Sequence, residues 1–484
     1  LTVSTTLEPR VVDPTDLAVP AAGADPGRRF DASPAGPADD EPLTARPPGP
    51  ELSPGAQGLR FAARPMGYAI GGHRRFGDVW TLRMPMRPEG MTVTCHPDHL
   101  ASLMKARPGD APSLTGSSPL GTILGPDSVL TSVGDRHLRQ RKLLLPPFHG
   151  EAVQRYVEMI GEVAETEING WRPGAEFALA PRMQAVTLEV IMRGIFGIDR
   201  TDTGSREARM RETLRRMLAL STTKLYQLIE IRNHGRRQHR DLLAAMLGIV
   251  DRQMYAVIRA RRTDPDREGR SDVLSLLLAA RDEDGRPLSD KELRDELMAL
   301  VLAGHETTAN SLAWTFERLL RTPDAYDGLR DAVRSQDRDR GAAHVEATVH
   351  EGMRVRPVIP MIVRMVMRPW RLGEYVIPAD SATAVSIIGL HHRSDVYPDP
   401  SVFRPERFLD EKPGTYTWIP FGGGIRRCLG ASLAMAEQRV MVEAIARRCD
   451  LQAPDLSPEK PRMRNVTMIP AHGCRVRVSA RRPS

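Results

Sequence analysis

The sequence predicts a mainly α-helical protein with a minor β part, folded as one large domain around a long central helix. Three observations carry that expectation. From about 135 to 355 the chain runs helix after helix, with apolar residues at three- and four-residue spacing and few Gly or Pro inside. One of those segments is long enough to need a large domain around it. Strand signals gather on either side, near 60–100 and 360–425. With 484 residues, 41% hydrophobic and 27% charged, the chain has ordinary globular composition and enough apolar residues for a large core.

Residues 1–46 are rich in Pro and Ala and poor in bulky side chains, and 11 prolines fall at or before Pro54. Such a segment buries too little surface to offset its ordering entropy, so a disordered arm is expected. Pro47-Pro48-Gly49-Pro50 is stiff and marks the entry to the folded part, 47–484. Asp78-Val-Trp-Thr-Leu-Arg-Met and Met91-Thr-Val-Thr-Cys read as strands. Ser289-Asp-Lys-Glu292, after Pro287, is a capping box. Leu293, Leu297, Leu300, Val301, Ala309, Leu312, Ala313 and Phe316 follow it at helical spacing. Unbroken to Leu320, this helix is about 45 Å long. In its middle, Ala303-Gly-His-Glu-Thr-Thr308 is a polar insertion. A buried acid beside an alcohol is costly without a role, and Gly304 lets a neighbour approach the backbone closely. A last helix follows Cys428, and a strand-like tail closes the chain.

Several classes are excluded. The four cysteines, Cys95, Cys428, Cys449 and Cys474, are scattered and never spaced as CxxC, so neither a disulfide framework nor a zinc ribbon is expected. No apolar run of about 18 residues predicts a membrane helix. No secretory signal is visible, so a cytoplasmic location is expected. The net charge is +7, yet only 6 of the 68 basic residues are lysine. Acidic residues are interleaved almost everywhere, so the arginine bias reads as GC-rich codon usage and no nucleic-acid partner is expected.

The chemistry concentrates in Phe421-Gly-Gly-Gly-Ile-Arg-Arg-Cys428-Leu-Gly430. Three glycines let the backbone turn tightly beside a flat ligand. Cys428 stands just before a helix, whose N-terminal N–H groups favour thiolate. A thiolate there, with an aromatic residue and an arginine nearby, suits an axial ligand to haem iron. Cys95, Cys449 and Cys474 read as packing residues.

On these residues the sequence resembles the cytochrome P-450 family of haem-thiolate monooxygenases, of the soluble bacterial type. The pattern F-G-x-G-x-R-x-C-x-G is met by Phe421, Gly422, Gly424, Arg426, Cys428 and Gly430. Ala303–Thr307 resembles the family's oxygen-activating motif, with Glu306 where many members have Asp. Glu351-Gly-Met-Arg354, followed by Pro357, resembles E-x-x-R, and Phe403-Arg-Pro-Glu-Arg407-Phe408 resembles F-x-P-E-R-F. The order and spacing of the four also fit.

The resemblance implies the cytochrome P-450 fold and haem b (iron protoporphyrin IX), with Cys428 as the metal ligand. His137, Arg141, Arg364, Phe421, Gly424, Arg426 and Gly430 would bind the cofactor. His137 and Arg141, four apart on one helix face, would meet the haem with Arg364 and Arg426, whose charges suit its propionates. Glu351, Arg354 and Arg407 would form a buried structural triad beneath the cysteine loop. Thr307 would hydrogen-bond the oxygen molecule and Glu306 relay protons through water. The implied activity is insertion of one oxygen atom from O2 into an apolar small molecule, with electrons from separate partners, a ferredoxin and a ferredoxin reductase. The roughly 55 residues after Cys428 leave no room for a reductase domain. Arg136, Arg139, Lys142, Arg427 and Arg439 would offer an acidic ferredoxin a basic patch. A monomer without a membrane anchor is expected. The pocket would draw on 113–130, 218–229, 299–308, 358–362 and 466–468. Two alternatives remain: a haem-thiolate peroxygenase or isomerase, which needs no Glu306–Thr307 pair, and a non-catalytic haem-based sensor or ligand carrier.

Overall fold

A computed structural model describes residues 30–114, 121–198, 201–221 and 242–483. The chain enters through β1 (Ala35–Pro37), α1 (Pro54–Ala63) and α2 (Pro65–Phe76). Both helices carry proline in their first turn, where a missing N–H costs nothing. β2 (Val79–Met84) and β3 (Arg87–Thr94), the two expected strands, pair antiparallel as a hairpin, and His96 caps α3 (Pro97–Lys105). Then come α4 (Gly121–Leu124), α5 (Gly134–Leu144), α6 (Glu151–Asn169), β4 (Glu176–Ala178), α7 (Leu179–Phe196), α8 (Arg206–Ser221), α9 (Leu242–Arg262) and α10 (Val273–Ala279). The long helix α11 (Asp290–Leu319) is followed by α12 (Pro323–Arg334) and α13 (Arg338–Val355). The strands β5 (Met361–Val366), β6 (Trp370–Leu372), β7 (Tyr375–Ile377) and β8 (Ser381–Ser386) lead to the short helices α14 (Ile387–His391) and α15 (Arg407–Asp410). Helix α16 (Ala431–Arg448) and strands β9 (Cys449–Gln452), β10 (Pro461–Arg464), β11 (Thr467–Pro470) and β12 (Arg475–Arg481) close the fold.

The strands form small sheets on the helical body. The largest has the order β2-β3-β8-β5, antiparallel except between β3 and β8. Among the described residues, no helix is long and apolar enough to cross a membrane.

Of the arm expected at 1–46, residues 1–29 lie outside the described residues, and 30–46 are held on the body. β1 pairs antiparallel with β6, Asp39 pairs with Arg368, and Glu41 with Arg371. Backbone pairing and ion pairing, which a composition argument does not see, hold this apolar-poor segment in place.

Helix α11 runs as expected. Ser289 accepts from the Glu292 N–H and Glu292 reaches back, completing the capping box. The helix is buried nearly all round because it passes through two cores. Its C-terminal half (Ala309, Leu312, Phe316) packs with α6, α7, α13 and α16. Its N-terminal half (Leu297, Val301) packs with α7, α8, α9 and α10. The neighbour that Gly304 admits is a helix: a Cβ there would stand 2.8 Å from Cδ1 of Ile191 on α7. At the same crossing Thr187 donates to the His305 carbonyl at 2.7 Å.

The first turns of α11 are polar yet buried, and they hold the segment before α5. Arg294 binds Asp251 and Asp295, the Asp295 carboxylate accepts from the Asp127 N–H, and Glu296 accepts from the Val129 N–H at 2.9 Å. Burial pushes the Glu296 carboxyl up to about 8, against the pull of the Val129 N–H. A carboxyl raised on folding binds its proton more tightly in the native state, so its contribution is full below the ordinary carboxylate pKa and is lost as pH rises toward about 8. Glu296→Gln should therefore flatten the fall in unfolding midpoint across that window, measured by thermal melts at stepped pH.

Candidate active site

Glu351 and Arg354 share one face of α13 and are wholly buried. Arg354 donates to Glu351 Oε2 and Oε1 at 2.7 and 2.8 Å, to the carbonyls of His391 and Pro400 at 2.8 Å, and to that of Val402 at 3.2 Å. Glu351 Oε1 also accepts from Arg407 Nε at 3.1 Å and from the Arg404 N–H at 2.9 Å. The three residues thus meet at the Glu351 carboxylate. His391 carries the connection onward: its ring bonds the Arg354 carbonyl through Nδ1 and accepts the Ile419 N–H at Nε2. Trp418 donates to the His350 carbonyl on α13 and its ring meets Phe421 edge-on.

From Ile419 the chain turns into the cysteine loop. Gly424 has φ 61°, and a Cβ there would lie 2.0 Å from the Met104 carbonyl oxygen. Only glycine satisfies both constraints, so this residue is set by the approach of α3. The Cys428 N–H donates to the Phe421 carbonyl at 2.9 Å and closes the loop. Helix α16 starts at Ala431, two residues later than expected, with Gly430 as its N-cap.

Cys428 opens on a cavity of about 800 Å³ and is otherwise enclosed by protein, whereas the other three cysteines are buried in the core. Burial pushes its thiol up, while the Gly430 N–H and the charges of Arg427 and Arg141 pull it down. In the chain alone, burial outweighs the helix-terminus effect that the sequence indicated. A coordinated metal ion would deprotonate the thiol.

His137, Arg141, Phe421, Gly430, Glu306 and Thr307 also line this cavity, as do Arg364 on β5 and Arg426 before the ligand. Arg426 binds only the carbonyls of Val129 and Ser132, Arg364 the Val363 carbonyl and Met104 sulfur, and Arg141 the Arg427 carbonyl. Among the described residues no carboxylate pairs with any of the three. Burial lowers Arg364 and Arg426 to about 10. Burial, then Arg426, Arg141 and Arg364, lower His137 to about 3. Cations gathered out of water without counter-charge suit a dianionic ligand. A porphyrin bearing two propionates, with its metal at Cys428, fits this donor set.

On the opposite wall, the Thr307 hydroxyl donates to the Ala303 carbonyl at 2.6 Å. Glu306 Oε1 accepts from Arg464 Nε and Thr467 Oγ1, both at 2.8 Å. Sequence reasoning missed Arg464 and Thr467, since nothing local marks a partner 158 residues away. It also missed Glu437 on α16, buried at 3% exposure and lining the cavity. Leu433, Glu437 and Met441 share a helix face, so an acid at a core position was the available signal.

The expected basic patch is mostly neutralised. Arg136 pairs with Asp127, Arg139 with Asp282 and Glu292, Lys142 with Glu283, and Arg439 with Glu346. Of the five, only Arg427 has no carboxylate partner among the described residues. The acids come from distant segments, which is why charge counting along the sequence overstated the patch. The pocket segment 218–229 lies outside the residues whose side chains are described; the other four segments each contribute lining residues.

Arg354→Met would leave Glu351 buried with only Arg407 as its cation. A cost of about 3–5 kcal/mol is expected, read as a lowered unfolding midpoint or loss of folded protein.

Comparison with known proteins agrees with this geometry. Residues 64–476 match the family described as Cytochrome P450. The chain is 36% identical over 444 residues to cytochrome P450 135B1 of Mycobacterium tuberculosis, covering 90% of this chain and 92% of that protein. It is 37% identical over 440 residues to cytochrome P450 137 of the same organism, covering 89% and 90%. Among solved structures, retinoic acid-bound cyanobacterial CYP120A1 superposes with a TM-score of 0.75 at 20% identity, covering 91% of this chain and 100% of that one. The cytochrome P450DA heme domain gives 0.74 at 24% identity, covering 91% and 99%. With the family matched along most of its length and by relatives at 36–37% identity, the chain belongs to the cytochrome P450 family, whose cofactor is haem b.

Proposed function

We propose that this monooxygenase hydroxylates an aliphatic small molecule, with Glu306 and Thr307 managing protons and oxygen and with electrons supplied by a ferredoxin and its reductase. The observation that carries the reading is a single cavity onto which Cys428, the three unpaired arginines, Glu306 and Thr307 all open. The reaction balances as RH + O2 + 2 e⁻ + 2 H⁺ → ROH + H2O.

Bound at Cys428, haem supplies oxygen activation, and thiolate ligation favours O–O cleavage. The chain does the rest. Gly430 holds the sulfur through its N–H, while Arg141, Arg364 and Arg426 would hold the propionates. Leu114, Ile123, Leu130, Leu300, Val358 and Ile359 line the cavity and exclude water from an apolar substrate. Thr307 has one hydroxyl proton, and Ala303 holds it. The oxygen of that hydroxyl is left free to accept a hydrogen bond, and donation toward oxygen requires rotation away from Ala303. Glu306 Oε1 is held by Arg464 and Thr467, so these two residues position the carboxylate beside the cavity. The intact Glu306–Thr307 pair favours oxygen activation over peroxide-driven or isomerase chemistry, neither of which needs it.

Optical titration of the haem-loaded ferric protein against lipids, terpenes, steroids and aromatics tests the substrate class. A saturable shift of the Soret band to shorter wavelength is expected from aliphatic ligands, and a response confined to aromatics would refute the reading. Thr307→Ala should still consume reductant while product per reductant falls by about tenfold or more, with peroxide accounting for the difference. Because the patch beside the cysteine loop is mostly ion-paired, reduction by a plant-type ferredoxin should decline only gently with added salt, measured by stopped flow.

A further inference from the structure

Cys95 directly follows β3 and is buried, but its sulfur does not face apolar side chains alone. His73 Nδ1 lies 3.2 Å from Cys95 Sγ and 3.3 Å from Asp78 Oδ1, and Sγ lies 3.8 Å from the same oxygen. None of the three residues lines the haem cavity. The backbone builds their convergence. Gly77 ends α2 at φ 83°, a turn that favours glycine and brings Asp78 back beside His73 in the last turn of that helix. The Cys95 N–H donates to the Asp78 carbonyl at 3.3 Å, so the end of β3 is held against the turn. Gly389 on α14 leaves room for the thiol: a Cβ there would stand 2.9 Å from the Cys95 Cβ.

The spacing of the three atoms is that of ligands. Around a tetrahedral zinc ion, with bonds of about 2.0–2.1 Å to nitrogen and oxygen and about 2.3 Å to sulfur, neighbouring ligand atoms stand about 3.3–3.6 Å apart. The observed edges of 3.2, 3.3 and 3.8 Å bracket that range. Charge also balances. Arg393, just after α14, donates through Nη1 to Asp78 Oδ1. Its own charge is matched by Asp395, which accepts from Nε at 3.0 Å and from Nη2 at 2.6 Å. That leaves the Asp78 carboxylate and a Cys95 thiolate to neutralise one divalent cation. A ligating carboxylate is commonly steadied by such an outer partner. In the chain alone, burial and then Asp78 push the thiol up to about 12; a coordinated cation would deprotonate it. The His73 and Asp78 side chains are 24% and 32% exposed, so solvent reaches the cluster and a metal has an entry path. One thiolate, one imidazole and one carboxylate select a borderline-soft ion over magnesium or calcium. We propose that His73, Asp78 and Cys95 form a zinc site, completed by water, that ties the end of α2 to the end of β3. Its role is structural, since an ion held only by the folded chain stabilises it by mass action.

The test uses the haem-loaded full chain, with thiolate ligation verified by the reduced carbon-monoxide spectrum so that Cys428 is engaged. After dialysis against EDTA the protein is given a small excess of zinc chloride and desalted. Elemental analysis should find one zinc beside one iron per chain. X-ray absorption at the zinc edge should show one sulfur at about 2.3 Å with lighter ligands at about 2.0–2.1 Å. Zinc should also raise the unfolding midpoint. His73→Gln and Cys95→Ala should each weaken zinc binding by at least about a hundredfold, more than loss of an outer partner costs, and abolish the midpoint shift, while haem loading stays parent-like. Failure to retain zinc would overturn the proposal. So would a shell of nitrogen and oxygen alone, the signature of scattered surface histidines, or parent-like binding in either variant. Should Cys95→Ala fail to fold, His73→Gln, at a partly exposed position, decides alone.

Discussion

The buried pair of Glu351 and Arg354 is the constraint on which the site depends. Two charges taken wholly out of water are tolerated only when nearly every donor and acceptor is met. Arg354 meets that demand by gathering carbonyls from His391, Pro400 and Val402, which lie 37, 46 and 48 residues further along the chain. Satisfying one guanidinium therefore fixes the end of α14 and the segment leading to α15. The His391 ring passes the constraint to the Ile419 N–H, and the chain from there to Cys428 is short and glycine-rich. The thiol is positioned from outside the cavity, by groups that never meet substrate.

The cavity walls are electrically unequal. The α5 and β5 side carries cations with no counter-charge of their own. The crossing of α11 and α16 carries hydroxyls and acids, one acid tied to Arg464 and one alone. A ligand with an anionic edge would thereby be oriented by charge before any shape contact acts.

What the sequence made legible was local. The capping box of α11, the run of apolar residues after it, the loop glycines and Cys428 each declare themselves within a few residues. The pairing of Glu351 with Arg354 follows from helix spacing, although its complete burial does not. The features that escaped were those made by distant segments. Arg464 reaches Glu306, Asp282 and Glu292 neutralise Arg139, and β6 captures β1. Gly424 was legible as a turn, but its steric reason is the Met104 carbonyl, which no spacing rule reveals. Glu437 stood in plain view on an apolar helix face, but that it borders the cavity does not follow from helix spacing.

The capture of β1 by β6 also bears on the order in which the chain assembles. Asp39 and Arg368 are 329 residues apart. Closing so long a loop is entropically costly unless the intervening chain is already compact, and its exposed ion pairs contribute only about 0–1 kcal/mol each. During synthesis residues 35–41 leave the ribosome early and are thus among the last to dock. The amino-terminal strap works as a latch on a finished body, and it contributes nothing to the nucleus from which that body grows.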